Sequence, residues 1–259
     1  MRELTFGFSP CPNDTFAFHA LVHGLVDAPF AVRPVLLDIE ELNVAAREAR
    51  LDVTKLSVGA MPSATRYRML RSGAALGHGV GPLVVARSEL SLADAVAGRL
   101  AIPGKQTTAF MLLRLLGGEP AAAAELRFDL ILDAVASGEF DAGLIIHESR
   151  FTYRDHGLVR VADLGELWEA ETSLPVPLAT ISARDDIAER DEIEAAIRRS
   201  VEYAFAHPQA SAAYVAAHSQ EMSPEVCRQH IELYVNEFSV DIGDAGLAAI
   251  EALTAAVPA

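Results

Sequence analysis

Short apolar segments alternate with amphipathic segments from residue 4 to residue 183. The short apolar segments predict strands, because polar residues, Gly or Pro bound most of them. Strands separated by single helices are typical of parallel α/β layers. The predicted strands cover residues 4–8, 31–37, 52–58, 81–86, 99–103, 126–128, 141–146, 158–161 and 178–183.

Polar residues ahead of the amphipathic segments predict helix starts. The first helix is expected to start near Asp14, since Asn and Asp side chains cap free backbone N–H groups. Asp38 and Glu41 have the spacing of a capping box for the second helix. The alanine run at 121–124 is interpreted as a loop or a helix start.

The last quarter of the chain is predicted to be helical. Apolar residues recur at helical spacing over residues 193–205. Pro208 and Pro224 both suit a first helical turn, the latter after the capping residue Ser223.

Two α/β blocks followed by these helices predict two lobes. The larger lobe is expected to be discontinuous, with residues 1–86 and 181–259, and the smaller lobe to comprise residues 87–180. Ligands in open α/β sheets lie outside the carboxyl ends of the strands. The expected fold is therefore two-lobed α/β, with a ligand cleft between the lobes.

Composition and charge exclude several classes of protein. The net charge of −15 over 259 residues, without a Lys/Arg run, argues against nucleic acid as a partner. No apolar stretch is long enough to predict a membrane span. The N-terminal segment does not read as an export signal, and two distant cysteines, Cys11 and Cys227, do not make a disulfide framework. We therefore expect a cytoplasmic, reduced protein.

Polar loops follow the first and third predicted strands. Residues 9–14 lead into a helix, whose free N–H groups attract anions, but they could equally form a stiff capped turn. Cys11 in this loop is interpreted as a packed thiol rather than a nucleophile. Lys55 and Ser57 could hold an anion and a hydroxyl group, or could be a solvated lysine and a helix cap.

Thr107 and Thr108 open a predicted helix, where their hydroxyl groups either bind an anion or cap the helix. Arg99 and Gln106 stand where a phosphate loop needs Gly and Ser or Thr, so nucleotide binding is disfavoured. The glycines at 77–81 precede a strand rather than follow one, which leaves dinucleotide binding unsupported.

His147 follows an apolar strand and is well placed to act as a general base, although it could instead be hydrogen-bonded in a tight turn. Phe151 stands where the zinc motif H-E-x-x-H needs its second His. His19 and His23 lack a nearby third ligand. The sequence therefore predicts no metal site.

Several motifs, in order along nearly the whole chain, resemble the 1,4-dihydroxy-6-naphthoate synthase family. They occupy residues 7–16, 21–24, 54–57, 79–87, 103–104, 107–108, 143–153, 234–236 and 238–239. The resemblance implies a type II periplasmic-binding-protein-like fold. It also implies a lyase that converts cyclic dehypoxanthinyl futalosine to 1,4-dihydroxy-6-naphthoate, in the futalosine route to menaquinone, without a cofactor.

The same resemblance implies roles for individual residues. The proton acceptor of the family carries over to His147. Asn13 and Asp14 are expected to line the cleft. The ligand contacts carry over to Lys55, Leu56, Ser57, Thr107 and Thr108.

Two alternatives share the expected fold. One is chorismate dehydratase of the same pathway, and the other is a non-catalytic protein that binds small acids. The expected partner in every case is a small-molecule carboxylate, and the sequence leaves open whether the chain forms a homo-oligomer.

Overall fold

Two mixed β-sheets form the framework of the chain. The computed structural model describes residues 2–220 and 223–256. The strands are β1 (Arg2–Phe8), β2 (Phe30–Leu36), β3 (Val53–Ser57), β4 (Tyr67–Met69), β5 (Ala75–Gly77), β6 (Leu83–Ala86), β7 (Arg99–Ile102), β8 (Ala122–Glu125), β9 (Ala142–Ile145), β10 (Val159–Asp163) and β11 (Val176–Arg184).

Helices connect most of these strands and make up the C-terminal part of the chain. The α-helices are α1 (Pro12–Val22), α2 (Ile39–Arg47), α3 (Leu92–Ala97), α4 (Thr108–Gly117), α5 (Ile131–Ala136), α6 (Ser149–Thr152), α7 (Leu164–Thr172), α8 (Arg190–Ala206), α9 (Ala212–His218), α10 (Pro224–Tyr234), α11 (Glu237–Val240) and α12 (Gly243–Ala256). Short 3₁₀ turns cover Val58–Ser63, Phe128–Leu130 and Tyr153–His156.

The first sheet has the order β2-β1-β3-β11-β4, with β5 also paired to β11, and the second has the order β10-β6-β9-β7-β8. Strands β1, β2 and β3 are parallel, as are β7, β8 and β9. Strands β6 and β11 run antiparallel to their neighbours, so the expectation of parallel layers is confirmed only for those six strands. Each of these two strands is the first that the chain forms after it crosses from one sheet to the other.

The lobe boundaries at residues 86 and 181 stay a prediction, but the sheet pairing is clear. Strand β6 is hydrogen-bonded to β9 and β10, so its residues lie in the second sheet although the sequence assigned them to the first lobe. Strand β11 returns to the first sheet beside β3. The helical tail packs back on the first sheet, where α8 and α10 contact α1.

Several predicted elements differ from the structure. The alanine run at 121–124 forms most of β8, because edge pairing with β7 outweighs the low strand propensity of alanine. Strand β8 also replaces the strand predicted at 126–128. Pro208 lies in a turn ahead of α9 and does not begin a helix, whereas Ser223 caps α10 as predicted. The capping box of Asp38 is confirmed.

The buried apolar side chains form separate clusters next to the two sheets. One apolar cluster fills the space between β1, α1 and α8, and another lies between the second sheet and the helices α4 and α7. No helix in the described residues, 2–220 and 223–256, is long and apolar enough to cross a membrane.

Candidate active site

A cavity lies between the two sheets, next to the ends of β3 and β9. Its volume is about 60 Å³, which leaves room for only a few water molecules. The cleft is therefore closed in this structure, and a bicyclic ligand needs it to open. Its polar lining comes from both sheets and the helical tail: Asn13, Lys55, Ser57, Thr107, Thr108, His147, His230 and Tyr234.

The loop after β1 holds a buried carboxylate. Asp14 accepts hydrogen bonds from the backbone N–H of Ser9 at 3.0 Å, from Ser9 Oγ at 2.7 Å and from Asn13 Nδ2 at 2.9 Å. Helix α1 begins at Pro12, near Asp14 as predicted, but its N-cap is Cys11, whose side chain makes no capping hydrogen bond, so the predicted capping role of Asp14 is wrong. The carboxylate is directed at a cation instead.

That cation is Lys55, whose Nζ lies 2.5 Å from Asp14 Oδ1. The two side chains are only 4% and 3% exposed, so neither charge is compensated by bulk water. The interpretation of Lys55 as a solvated lysine is therefore wrong. The pair places the positive charge of Lys55 on the cavity wall, and the carboxylate of Asp14 compensates that charge.

Successive side chains of β3 point to opposite faces of the sheet, so the three predicted ligand-binding residues, 55–57, do not all face the same side. Lys55 and Ser57 face the cavity, whereas Leu56 packs in an apolar cluster with Ala60 and Tyr67. The side chain of Leu56 therefore does not line the cavity.

Ser57 is held by Asn43 of α2, a residue that the sequence did not single out. The backbone N–H of Ser57 donates to Asn43 Oδ1 at 3.0 Å, and Asn43 Nδ2 donates to Ser57 Oγ at 3.0 Å. This reciprocal pair fixes the end of β3 at the cavity.

Both threonines line the cavity, and their hydroxyl groups are engaged within the protein. Thr107 caps α4: its Oγ1 accepts from the N–H of Phe110 at 3.2 Å and donates to the carbonyl of Gly104 at 2.7 Å. Thr108 Oγ1 accepts from the N–H of Gly59 at 3.1 Å and donates to the carbonyl of Leu178 at 2.5 Å. Direct contact of these hydroxyl groups with a ligand stays a prediction.

His147 follows β9 in an unusual backbone conformation. Its φ of +55° lies in the left-handed region, which costs a non-glycine residue of order 1 kcal/mol and is frequent at functional sites. The ring packs edge-on against Phe128, with 4.8 Å between centroids. Among the described residues its Nε2 has no hydrogen-bond partner although that atom is buried.

The surroundings keep this imidazole neutral. Burial, and secondly the positive charge of Lys55, lower the pKa of His147 to about 3, while Asp14 acts in the opposite direction. A neutral ring with a free nitrogen on the cavity wall can accept a proton at neutral pH.

The helical tail contributes two residues that the sequence analysis did not assign to the site. His230 and Tyr234 are four residues apart on α10, share one face of that helix and line the cavity. His230 is 1% exposed, and its ring centroid lies 6.1 Å from that of His147. The available signal was weak, because a buried histidine on an apolar helix face is usually a packed side chain.

Among the described residues, one group of possible metal ligands includes His147 of the cavity lining. The donor atoms of Cys11, His147 and Glu148 lie within 4.8 Å of one another. Tetrahedral zinc holds such atoms at about 3.5 Å, so this group would have to contract around an ion. The absence of a metal stays a prediction. The rings of His19 and His23 pack against each other in a tilted arrangement, and His23 meets Tyr214 edge-on, as packed side chains do.

Comparison of sequences identifies a family over nearly the whole chain. The family model described as "Menaquinone biosynthesis" matches residues 4–258. A Thermus thermophilus protein named 1,4-dihydroxy-6-naphthoate synthase is 52% identical, over 98% of this chain and 94% of that one. A Streptomyces coelicolor protein of the same name is 43% identical, over 96% of this chain and 91% of that one.

Solved structures agree with the two-lobed architecture. A protein from Archaeoglobus fulgidus matches with a TM-score of 0.93 and 35% identity, over 98% of this chain and 96% of that one. The alkanesulfonate-binding protein of Xanthomonas axonopodis pv. citri matches with a TM-score of 0.69 at 15% identity, over 90% of this chain and 84% of that one. The second likeness shows the fold alone, which is that of periplasmic binding proteins.

Proposed function

Since the chain belongs to the menaquinone biosynthesis family, we propose that this enzyme is a lyase that converts cyclic dehypoxanthinyl futalosine to 1,4-dihydroxy-6-naphthoate. Two relatives that cover over nine tenths of the chain carry the name of that synthase. We further propose that it acts on this small carboxylate without a cofactor.

The main structural support for the proposal is the environment of His147, the proposed proton acceptor. It combines three properties of a general base: a neutral ring, a buried nitrogen without a hydrogen-bond partner among the described residues, and a position on the cavity wall. Proton transfer to a positioned side chain typically accelerates a reaction about 100-fold to 10,000-fold.

The proposed reaction needs a base and a site for negative charge. The substrate carries a carboxylate on a bicyclic ring with a spiro-fused sugar remnant. His147 takes the proton of a hydroxyl group on the sugar remnant, the carbon–carbon bond between the remnant and the ring breaks, and the remnant leaves as a carbonyl compound. The electron pair of the broken bond forms a double bond in the ring and displaces the π pair of the ring carbonyl onto its oxygen, and protonation of that oxygen gives the aromatic diol. Lys55 offsets the negative charge that develops, and the low dielectric of the closed cleft strengthens this interaction.

Substrate contacts are assigned to the polar lining of the cavity. Lys55, Ser57 and Asn13 offer donors, and Asn13 Oδ1 is a buried acceptor without a partner in the described chain. Asp14 holds Lys55 in place. Thr107 and Thr108 contribute through their backbone, through their hydroxyl groups after rearrangement, or through both.

A direct assay tests the proposal. Purified protein is mixed with cyclic dehypoxanthinyl futalosine without added cofactor, and dihydroxynaphthoate is followed by mass spectrometry. Product formation supports the lyase. Tight binding of the substrate without product would make the chain a binding protein, and turnover in a chorismate dehydratase assay instead would assign it to the sister reaction.

A further inference from the structure

His230 and Glu148 form a contact across the cleft that the proposed base does not use. His230 comes from α10, which packs against α1 and β5 of the first sheet. Glu148 comes from the segment that follows β9 of the second sheet. Nδ1 of His230 lies 3.5 Å from Oε2 of Glu148, and the two side chains are 1% and 7% exposed.

The contact gives His230 a preferred orientation. A carboxylate beside Nδ1 favours the tautomer that carries its proton on Nδ1, which leaves Nε2 as the acceptor. His230 itself lines the cavity. A shortening of about 0.5 Å on substrate binding would turn the contact into a hydrogen bond.

The inference made here rests on the function proposed above. After the proposed reaction the proton is on His147, whereas the product needs a proton on a ring oxygen. His147 takes a proton while the π pair of the ring carbonyl is displaced onto the oxygen of that carbonyl. The diol forms only when that oxygen is protonated. The ring centroids of His147 and His230 are 6.1 Å apart, a gap that one water molecule or one substrate oxygen can bridge.

We propose that His230 is a second acid–base residue, which receives the proton from His147 and delivers it to the ring oxygen, and that Glu148 stabilises the transient imidazolium. The proton passes from substrate to His147, to His230 and to the product oxygen. The electron pair of the carbon–carbon bond forms a double bond in the ring and displaces the π pair of the ring carbonyl onto its oxygen, which this proton then meets, so no oxidant or reductant is needed.

Burial suits this role. Removal from water, then the proximity of His147 and Lys55, lower the pKa of His230 well below its usual range, so the resting ring is neutral and able to accept a proton. Because its two members come from opposite sides of the cleft, the contact is complete only when the cleft is closed. Acid–base chemistry is thereby restricted to the closed, water-poor state.

The test compares His230→Gln with the wild type, after the wild type has been shown to convert the substrate. We expect kcat to fall about 100-fold or more while KM changes little. Glu148→Gln retains an oxygen for Nδ1–H but loses the charge, so its kcat should fall less. His207→Gln, an exposed histidine at the end of α8, is the matched control and should retain wild-type kcat.

A structural role is separated from proton transfer by chemical rescue. Imidazoles of similar size and graded pKa are added to His230→Gly, and restored rates should depend on the pKa of the added base. His230→Asn replaces the Gln variant if the latter does not fold. Retention of more than half of wild-type kcat in a folded variant, or rescue that is independent of pKa, would overturn the inference. A wild type without turnover would instead refute the proposed function.

Discussion

At the scale of single residues, the site contains a buried positive charge that is paired with a buried negative charge. The Lys55 ammonium is buried, and the Asp14 carboxylate at 2.5 Å makes this tolerable. The same positive charge, added to burial, keeps His147 neutral. The buried ion pair therefore places a positive charge on the cavity wall, and that charge adds to the larger effect of burial in keeping the proposed base neutral.

The neutral state of His147 makes stability depend on pH in a defined direction. The ordinary pKa of His is about 6.5 and that of folded His147 is about 3, so between these values the unfolded chain holds a proton that the folded chain does not. The contribution of this residue to the free energy of unfolding is complete above about pH 6.5 and is lost as the pH falls toward 3.

Urea unfolding between about pH 7.5 and about pH 5 measures this dependence. His147→Gln removes one such titration, so its free energy of unfolding should fall less steeply with acid than that of the wild type. Parallel curves for the two proteins would show that His147 is not kept neutral by folding.

At the scale of elements, short contacts set the position of the segments around the cavity. A Cβ atom on Gly81 would lie 2.2 Å from the backbone of Gly165 at the start of α7. The carbonyl of Gly81 also accepts from Arg150, which is paired with Asp163. The chain ahead of β6 is thereby attached to the segment that follows His147.

Gly81→Ala should therefore lower the free energy of unfolding by about 3 kcal/mol, because the two backbones must separate. Gly79→Ala is the control: its φ is +68° but no atom lies within 4 Å of the added Cβ, so only backbone strain of about 1 kcal/mol is expected. Chemical denaturation of both variants measures the difference. Equal losses would show that the approach of Gly165 is not the constraint.

The sequence predicts elements well where local signals and packing agree. The capping box of α2 and the strands that precede the polar loops are present as predicted, and they bring Lys55, Ser57 and His147 to one cavity. The short strands β4 and β5 and the helices α3 and α7 are absent from the predicted set, since their signals are short and tertiary pairing stabilises them.

The rest of the site depends on contacts between residues far apart in sequence. His230 is 82 residues beyond Glu148, and no local pattern indicates that α10 returns to the end of β9. The pairing of Asp14 with Lys55 is equally non-local. The positive φ of His147 depends on the packing of the whole segment, because histidine has only a modest preference for that conformation.

At the scale of the whole molecule, a hydrogen-bonded contact closes the cleft. Glu40 of α2 accepts from the backbone N–H of Gln106 at 3.1 and 3.2 Å, and Gln106 lies between β7 and α4 of the second sheet. Burial raises the pKa of Glu40. Since the closed cavity holds only about 60 Å³, this contact must loosen each time a substrate enters.

Glu40→Ala should favour the open cleft. Loss of a hydrogen bond to a charged group costs about 1.5 kcal/mol, which should shift the open–closed equilibrium of the free protein roughly tenfold toward the open cleft. Glu48→Ala, which removes an exposed carboxylate paired with Arg50, should leave this equilibrium unchanged. Small-angle X-ray scattering should give a larger radius of gyration for Glu40→Ala alone. An unchanged radius of gyration for Glu40→Ala would show that Glu40 does not hold the cleft closed.

The most direct test of the central claim is a single-turnover reaction of His147→Gln with cyclic dehypoxanthinyl futalosine, beside the wild type and a binding measurement. If His147 is the base, the wild type forms dihydroxynaphthoate, and the variant binds the substrate with similar affinity but forms product at least about 100 times more slowly. Product formation by the variant at a rate near that of the wild type would contradict the assignment.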